Sequence, residues 1–213
     1  MARPPASESA RETRKNVLLD AAIALWLRHP ERIPGVAEVA MAAKVAKGTI
    51  YLYFKSKEDL LLAAHERNTM IFFAALIKRA SQPEAMTLDD MMRLTQRHIV
   101  DVPTFLPLAT LVAGLMHKGI TPESAQVFEQ HMSERLSTAG ALLCQQFKLP
   151  DAAHGVRLLM QSYALILGLW QLVGGERPMC TNEEIGAMLH PNYTLGLDDA
   201  LRSLWYGMIN RER

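Results

Sequence analysis

One stretch decides how this chain is interpreted, Lys47-Gly48-Thr49-Ile50-Tyr51-Leu52-Tyr53-Phe54-Lys55-Ser56-Lys57. It combines three lysines, two tyrosines and a threonine in a short segment. A basic and aromatic segment of this kind either forms a solvated surface or lies against an anionic polymer. The sequence on either side of it has to distinguish these two interpretations.

The segments around this stretch have helical periodicity. Apolar residues recur at three- and four-residue spacing over about 10–28, and short helices are predicted over about 36–43 and 46–53. Ser56 is a suitable cap for a long helix over 57–80, whose first turn carries acids that the helix dipole favours. Two short helices joined by a tight turn after a longer helix predict a helix-turn-helix. In such a unit the second short helix lies in the major groove of DNA.

The remainder of the chain is also predicted to be helical, because no run shows sustained strand alternation and β-branched residues are sparse. We therefore expect an all-α protein, with an N-terminal three-helix domain over 1–60, a helix-turn-helix over about 35–54, and a helical domain over 61–213. The helices predicted beyond residue 80 are Thr87–Val100, Pro103–Lys118, Pro122–Phe147, Asp151–Gly174, Thr181–Leu189 and Leu195–Asn210.

Composition and charge narrow the class of protein. Hydrophobic residues make up 49% of the 213 residues, enough for a sizeable core, and the net charge is only +1. Residues 1–60 carry 10 Lys/Arg against 7 Asp/Glu, whereas residues 61–213 carry 13 against 15, so only the N-terminal part is basic. Cys144 and Cys180 form no disulfide framework for a chain of this size. With no visible signal peptide and no apolar run long enough to span a bilayer, we expect a cytoplasmic protein without a membrane partner.

The chemistry of the opening stretch suits DNA. Lys47 and Thr49 place donors near the start of the second short helix, and Gly48 lets the backbone approach a partner closely. The tyrosines offer flat faces for base methyl groups and hydroxyls for phosphates. Ile50 and Phe54 fall on the opposite face of the helix and are predicted to pack inward.

These residues, at this spacing, resemble the TetR family of bacterial transcriptional regulators over roughly residues 12–65. The resemblance rests on the runs Leu18-Leu19-Asp20-Ala21-Ala22, Lys47-Gly48-Thr49-Ile50-Tyr51 and Tyr53-Phe54-Lys55-Ser56-Lys57-Glu58-Asp59-Leu60-Leu61. It implies a homodimeric repressor that binds double-stranded DNA through its N-terminal domain. It also implies that a C-terminal helical domain dimerises and binds a small-molecule inducer.

Site residues follow from the resemblance position by position. It implies DNA contacts from Lys44, Lys47, Gly48, Thr49, Tyr51, Tyr53 and Lys57. Four positions depart from the family pattern: Gly35 replaces Thr or Ser, Lys44 replaces Gly, Ala46 replaces Ser, and Leu52 replaces a common Tyr. Lys44 either alters the usual turn geometry or adds a cation near the DNA backbone. Leu52 removes one hydroxyl from the phosphate contacts.

Two further sites are predicted in the C-terminal domain. An apolar cavity would suit a hydrophobic or aromatic inducer. Its candidate lining is Phe72, Phe105, Leu108, Leu111, Met116, Phe128, Tyr163 and Trp170. Apolar stripes on the last two long helices predict a dimer interface, formed by Val156, Leu159, Tyr163, Leu167, Leu201, Leu204, Trp205 and Met208. Periodicity alone does not separate such residues from the core.

Enzyme signatures are missing from the sequence, which has no phosphate-cradling glycine loop, no nucleophile elbow and no His-Glu metal motif. His98 and His117 lack carboxylates or cysteines at ligand spacing. We therefore expect no catalytic residue, no metal and no cofactor. Two hypotheses remain: a ligand-responsive repressor of a palindromic operator, and an all-α small-molecule-binding protein with a weak or vestigial DNA-binding head. A helical enzyme is a distant third.

Overall fold

The computed structural model describes residues 8–29, 32–115, 119–174 and 192–210, and these residues are helical without any strand. The predicted all-α class is therefore confirmed. The helices are α1 Glu8–Arg28, α2 Val36–Ala42, α3 Lys47–Tyr51, α4 Lys57–Ala80, α5 Leu88–Thr95, α6 Phe105–Leu115, α7 Pro122–Phe147, α8 Ala152–Val173 and α9 Tyr193–Ile209. The helix predicted over 181–189 lies outside the described residues.

Side-chain caps explain where several helices begin. Ser56 Oγ accepts from the backbone N–H of Asp59 at 2.9 Å, which starts α4 at the predicted residue. Thr87 Oγ1 accepts from the N–H of Asp90 at 3.2 Å, while Asp90 Oδ2 accepts from the N–H of Thr87 at 2.8 Å. The single helix predicted over 87–100 is in fact α5 followed by a π-helical turn, Gln96–Val100, in which the Asp101 N–H donates to Gln96 O at 2.8 Å.

Two lysines end helices in the left-handed backbone conformation. Lys44 follows α2 and Lys148 follows α7, each with φ of 55°. After α2 the N–H of Val45 donates to Ala40 O at 2.9 Å and that of Lys44 to Met41 O at 3.1 Å. This pair of hydrogen bonds is the Schellman motif, which satisfies carbonyls that a helix end leaves without a partner.

The chain divides into two compact units. Unit 1 comprises residues 1–67 and 111–128, and unit 2 comprises residues 68–110 and 129–213. In unit 1, α1 contacts α2 and α2 contacts α3, which makes the predicted three-helix arrangement. Its buried apolar residues include Leu18, Ala22, Trp26, Val39, Ile50 and Phe54.

Unit 2 is built on α8 and α9, together with the greater part of α7 and the second half of α4. Gly140 of α7 lies against Gly155 of α8, where a Cβ on Gly155 would come within 2.2 Å of Gly140 O. The two helices therefore pack backbone to backbone at this crossing. Between α8 and α9, the fully buried Trp205 donates from Nε1 to Ser162 Oγ at 2.9 Å, so the indole N–H is satisfied inside the core.

Candidate nucleic-acid interface

Helix α3, the second short helix of the predicted helix-turn-helix and called the reading helix below because it is predicted to contact DNA, is held by the two residues predicted to face inward. Ile50 is fully buried and Phe54 is 4% exposed, so both pack in unit 1 as predicted. The opposite side of the helix faces solvent. The structure brings the predicted DNA-contacting residues together in unit 1, with Lys44, Lys47, Gly48, Tyr51 and Lys57 exposed and Thr49 and Tyr53 half-buried.

The turn before α3 keeps its geometry although Lys44 stands in place of glycine. The left-handed φ of 55° at Lys44 is one that glycine adopts without steric cost. The lysine adopts this strained conformation and adds an exposed cation at the turn, so the first alternative, an altered turn, is wrong. The second alternative, a cation near the DNA backbone, stays a prediction. Ala46 precedes α3 in an extended conformation and gives it no side-chain cap.

An ion pair that sequence reasoning missed supports the start of α2. Arg32 donates to Glu38 through two hydrogen bonds of 2.6 and 2.7 Å, and Glu38 Oε2 also accepts from the N–H of Gly35 at 2.8 Å. The Arg32 hydrogen bonds, followed by that of Gly35, lower the pKa of Glu38 to about 2. A glutamate three residues after a capping position was the signal available in the sequence. Glu38 thus satisfies the backbone N–H of the capping residue Gly35, whereas glycine has no hydroxyl to accept from the first N–H groups of α2.

A cluster of contacts joins the start of α4 to the start of α7 inside unit 1. Asp59 is 4% exposed and accepts from the N–H of Thr121 at 3.1 Å and from its hydroxyl at 3.4 Å. Lys55 Nζ lies 3.4 Å from a carboxylate oxygen of Glu123. Ser56 Oγ donates to Gly119 O at 3.5 Å. We call these residues the α4–α7 contact cluster; no local pattern in the sequence could have revealed it.

Two comparisons with protein families decide the identity of the fold. A family model described as "Bacterial regulatory proteins, tetR family" matches residues 18–64. A second, described as "Tetracyclin repressor-like, C-terminal domain", matches residues 67–210, which is more than half of the chain. The chain belongs to the TetR family. As a TetR-family member it is a DNA-binding transcriptional regulator, and the resemblance seen in its N-terminal sequence is confirmed.

Two individual relatives agree with this assignment. The "Fatty acid metabolism regulator protein" of Bacillus subtilis (strain 168) is 44% identical over 46 residues, which is 22% of this chain. The chain thus spans only 24% of the length of that relative. The solved structure of SmeT, the repressor of the Stenotrophomonas maltophilia multidrug efflux pump SmeDEF, is 18% identical and has a TM-score of 0.55. That match covers 91% of this chain and 89% of SmeT, and it shows a shared fold.

The predicted ligand-pocket residues of this TetR-family chain are divided between the two units. Phe72 and Phe105 are buried in the hydrophobic core of unit 2, and Tyr163 and Trp170 are partly buried residues that pack against this core. Leu108 is fully buried in the same unit. In unit 1, Leu111 and Phe128 are half-buried, and Phe128 lies 6.2 Å from the ring of His65, whose pKa burial lowers to about 4. Met116 lies outside the described residues.

A groove in unit 2 differs from the predicted pocket. It has a volume of about 470 Å³, and none of the predicted pocket residues lines it. Arg79 in its wall donates to Asp90 at 2.8 Å and to the carbonyls of Glu84 and Ala85. The lining residues are Arg79, Asp90, Arg93, Leu94, Gln96, Arg97, His98 and Asp101.

The predicted dimer-interface residues fall into two groups. Leu159, Leu201 and Trp205 are at most 5% exposed and belong to the core of unit 2. Their interface assignment is therefore corrected, because a side chain that is already buried in its own chain offers little surface to a partner. The other predicted residues are half-buried on the same two helices, namely Val156, Tyr163, Leu167, Leu204 and Met208.

Exposed apolar side chains on α8 and α9 were missed by the sequence pattern. Met160 and Leu172 on α8 are 51% and 64% exposed, and Leu195 and Tyr206 on α9 are 72% and 67% exposed. By length and composition, both α4 and α8 could span a bilayer, although the core helix of a soluble protein passes the same test. Only 22% of the apolar window of α8 is buried, against 56% for α4. Much of the apolar surface of α8 is therefore left uncovered by the residues that the structure describes.

Proposed function

We propose that the chain is a homodimeric repressor that binds a palindromic operator and is released by a hydrophobic small molecule. The DNA-binding head is assigned to residues 1–60, and inducer binding and dimerisation to residues 61–213. The proposal includes a cytoplasmic location, no membrane partner and no enzymatic role. The observation that carries it is the reading helix α3, anchored by Ile50 while its basic and aromatic side stays exposed.

Each predicted DNA-contacting residue of unit 1 has a proposed role. Lys47, Gly48, Thr49 and Tyr51 contact bases and nearby phosphates, because they occupy α3 and donate from its exposed side. Tyr53, Lys57 and Lys44 hold the phosphate backbone. Lys57 Nζ lies 3.8 Å from a Glu58 carboxylate oxygen with both groups partly exposed, and a weak surface pair of this kind leaves the ammonium available to a phosphate.

We propose that a second copy of the chain packs against the exposed apolar side chains of α8 and α9. Met160, Leu172, Leu195 and Tyr206 would lose solvent exposure in such a contact, and the half-buried Val156, Tyr163, Leu167, Leu204 and Met208 flank them on the same helices. A two-fold symmetric dimer uses the same surface on both copies. It would read two half-sites about 34 Å apart, one turn of DNA.

Inducer binding is proposed to act through a population shift. An inducer held among the predicted pocket residues of unit 2, such as Phe72 and Phe105, must bind one arrangement of the dimer more tightly than the other. Helices α4 and α7 contribute residues to both units, and the α4–α7 contact cluster fastens their first turns together. A displacement of α7 would therefore be transmitted to the start of α4, next to the reading helix. The names of the relatives, a regulator of fatty acid metabolism and a repressor of a multidrug efflux pump, fit a hydrophobic inducer.

The alternative, a small-molecule-binding protein with a vestigial head, is not favoured. It rested on the departures at Lys44, Ala46 and Leu52, yet Lys44 preserves the turn and the exposed side of α3 keeps its lysine and tyrosine. Sequence-independent DNA affinity combined with tight ligand binding would restore this alternative.

Electrophoretic mobility shift with the DNA upstream of the chain's own gene tests the proposal. We expect a sequence-specific complex whose affinity falls with salt, and Lys57→Ala should weaken it on all sequences and lower the salt slope by about one. Lys78→Ala is the matched control, because Lys78 is an exposed lysine of the same helix outside unit 1. A wild-type complex no tighter on upstream DNA than on unrelated DNA would contradict the proposal.

A further inference from the structure

The outward centre of the reading helix is apolar. Successive residues of an α-helix are turned by about 100°, so the fully buried Ile50 fixes the inward direction of α3. Gly48 and Leu52 then lie closest to the opposite direction, with Tyr51 and Lys47 on one flank and Thr49 on the other. Leu52 continues the helical path, since its φ of −73° and ψ of −18° are those of a right-handed helix.

The side chain at this centre is open to solvent. Leu52 is 73% exposed, more than the 51% of Tyr51 beside it. Nothing lies within 4 Å of a Cβ built on Gly48, so a base edge can approach next to Leu52 without obstruction. A single exposed leucine is ordinary on a protein surface. Leu52, however, lies at the centre of the side that would enter the major groove. Its apolar side chain there limits which base edges can make a favourable contact.

Leucine has no donor or acceptor, so it gains nothing from the hydrogen-bonding edges of guanine, adenine or cytosine. The 5-methyl group of thymine is the apolar feature that the major groove presents. We infer that Leu52 is a specificity-determining residue that selects a thymine in each operator half-site. This inference rests on the proposed DNA-binding function. It means that Leu52, besides removing the hydroxyl of the tyrosine common at this position, makes a base contact of its own.

The test begins with selection of binding sites from duplex DNA that carries a randomised central segment. Each thymine of the site selected by the wild-type protein is then replaced by deoxyuridine, which removes only the methyl group, and affinity is measured by fluorescence anisotropy. We expect about a fourfold loss for the wild-type protein at one thymine per half-site, the contribution of one buried methyl group. Leu52→Ala should bind thymine and deoxyuridine equally at that position.

Met41→Ala is the matched control, because Met41 is 77% exposed on α2 and does not lie on α3. It should keep the fourfold preference for thymine. An unchanged deoxyuridine penalty in Leu52→Ala, or no penalty at any thymine for the wild-type protein, would overturn the inference while leaving sequence-specific binding in place. A wild-type protein that enriches no sequence would overturn both the proposed function and the role of Leu52.

Discussion

The crossing of α7 and α8 gives the sharpest prediction about stability. In Gly155→Ala the added Cβ would lie 2.2 Å from Gly140 O, 2.8 Å from its carbonyl carbon and 2.9 Å from its Cα. All three atoms are backbone, so no side-chain rotation relieves the overlap, and the helices must separate by about 1 Å to restore ordinary contacts. Overpacking of this kind costs about 3 kcal/mol, and the higher helix propensity of alanine offsets about 1 kcal/mol of it. We expect a net loss of about 2 kcal/mol in the free energy of unfolding.

Urea unfolding followed by circular dichroism measures this loss. Gly168→Ala is the control on the same helix, because a Cβ there meets nothing within 4 Å. That variant should gain up to about 1 kcal/mol from helix propensity alone. If Gly155→Ala unfolds at the same urea concentration as Gly168→Ala, or at a higher one, the backbone-to-backbone packing of α7 and α8 is refuted.

Three substitutions in unit 1 are expected to have smaller effects on stability. Lys44→Gly should raise stability by up to about 1 kcal/mol in thermal unfolding, because glycine accepts the left-handed turn; a lower melting temperature would contradict this. Thr121→Val removes a hydroxyl partner of the buried Asp59 and should cost about 1 kcal/mol in the free energy of unfolding, whereas no change would mean that this hydroxyl does not stabilise the α4–α7 contact cluster. Since folding lowers the pKa of Glu38 from 4.5 to about 2, its contribution to stability is complete above pH 4.5 and is lost as the pH falls towards 2. Glu38→Gln should remove that part of the acid dependence in denaturation curves measured across this range, and an unaltered acid profile would count against the Arg32 pair.

Much of the N-terminal domain could be predicted from the sequence, because its determinants are local. Apolar spacing and the Ser56 cap predicted the start of α4, and helical periodicity predicted the burial of Ile50 and Phe54. These features depend on residues within one or two helical turns of each other, which is the range over which caps and periodicity act.

Features that depend on distant residues could not be predicted in this way. Asp59 and Thr121 are 62 positions apart, and no pattern in either segment indicates their contact. An apolar stripe also does not distinguish core residues from interface residues. The hydrophobic effect is non-directional, so it favours burial against the same chain and burial against a second chain alike. Leu201 and Trp205 were therefore predicted at the dimer interface, whereas the structure buries them in unit 2. Tyr206, on the same helix, is 67% exposed in the folded chain and is therefore a better candidate for the interface of the proposed dimer.

The central claim is that the exposed side of α3 reads DNA, and the affinity of a Lys47→Ala/Tyr51→Ala double variant for the selected operator tests it most directly. Fluorescence anisotropy at fixed salt should show that the double variant binds the operator no more tightly than unrelated duplex DNA. Lys78→Ala, which also removes one positive charge, should keep the preference for the operator. A double variant that retains the operator affinity of the wild-type protein would contradict the account.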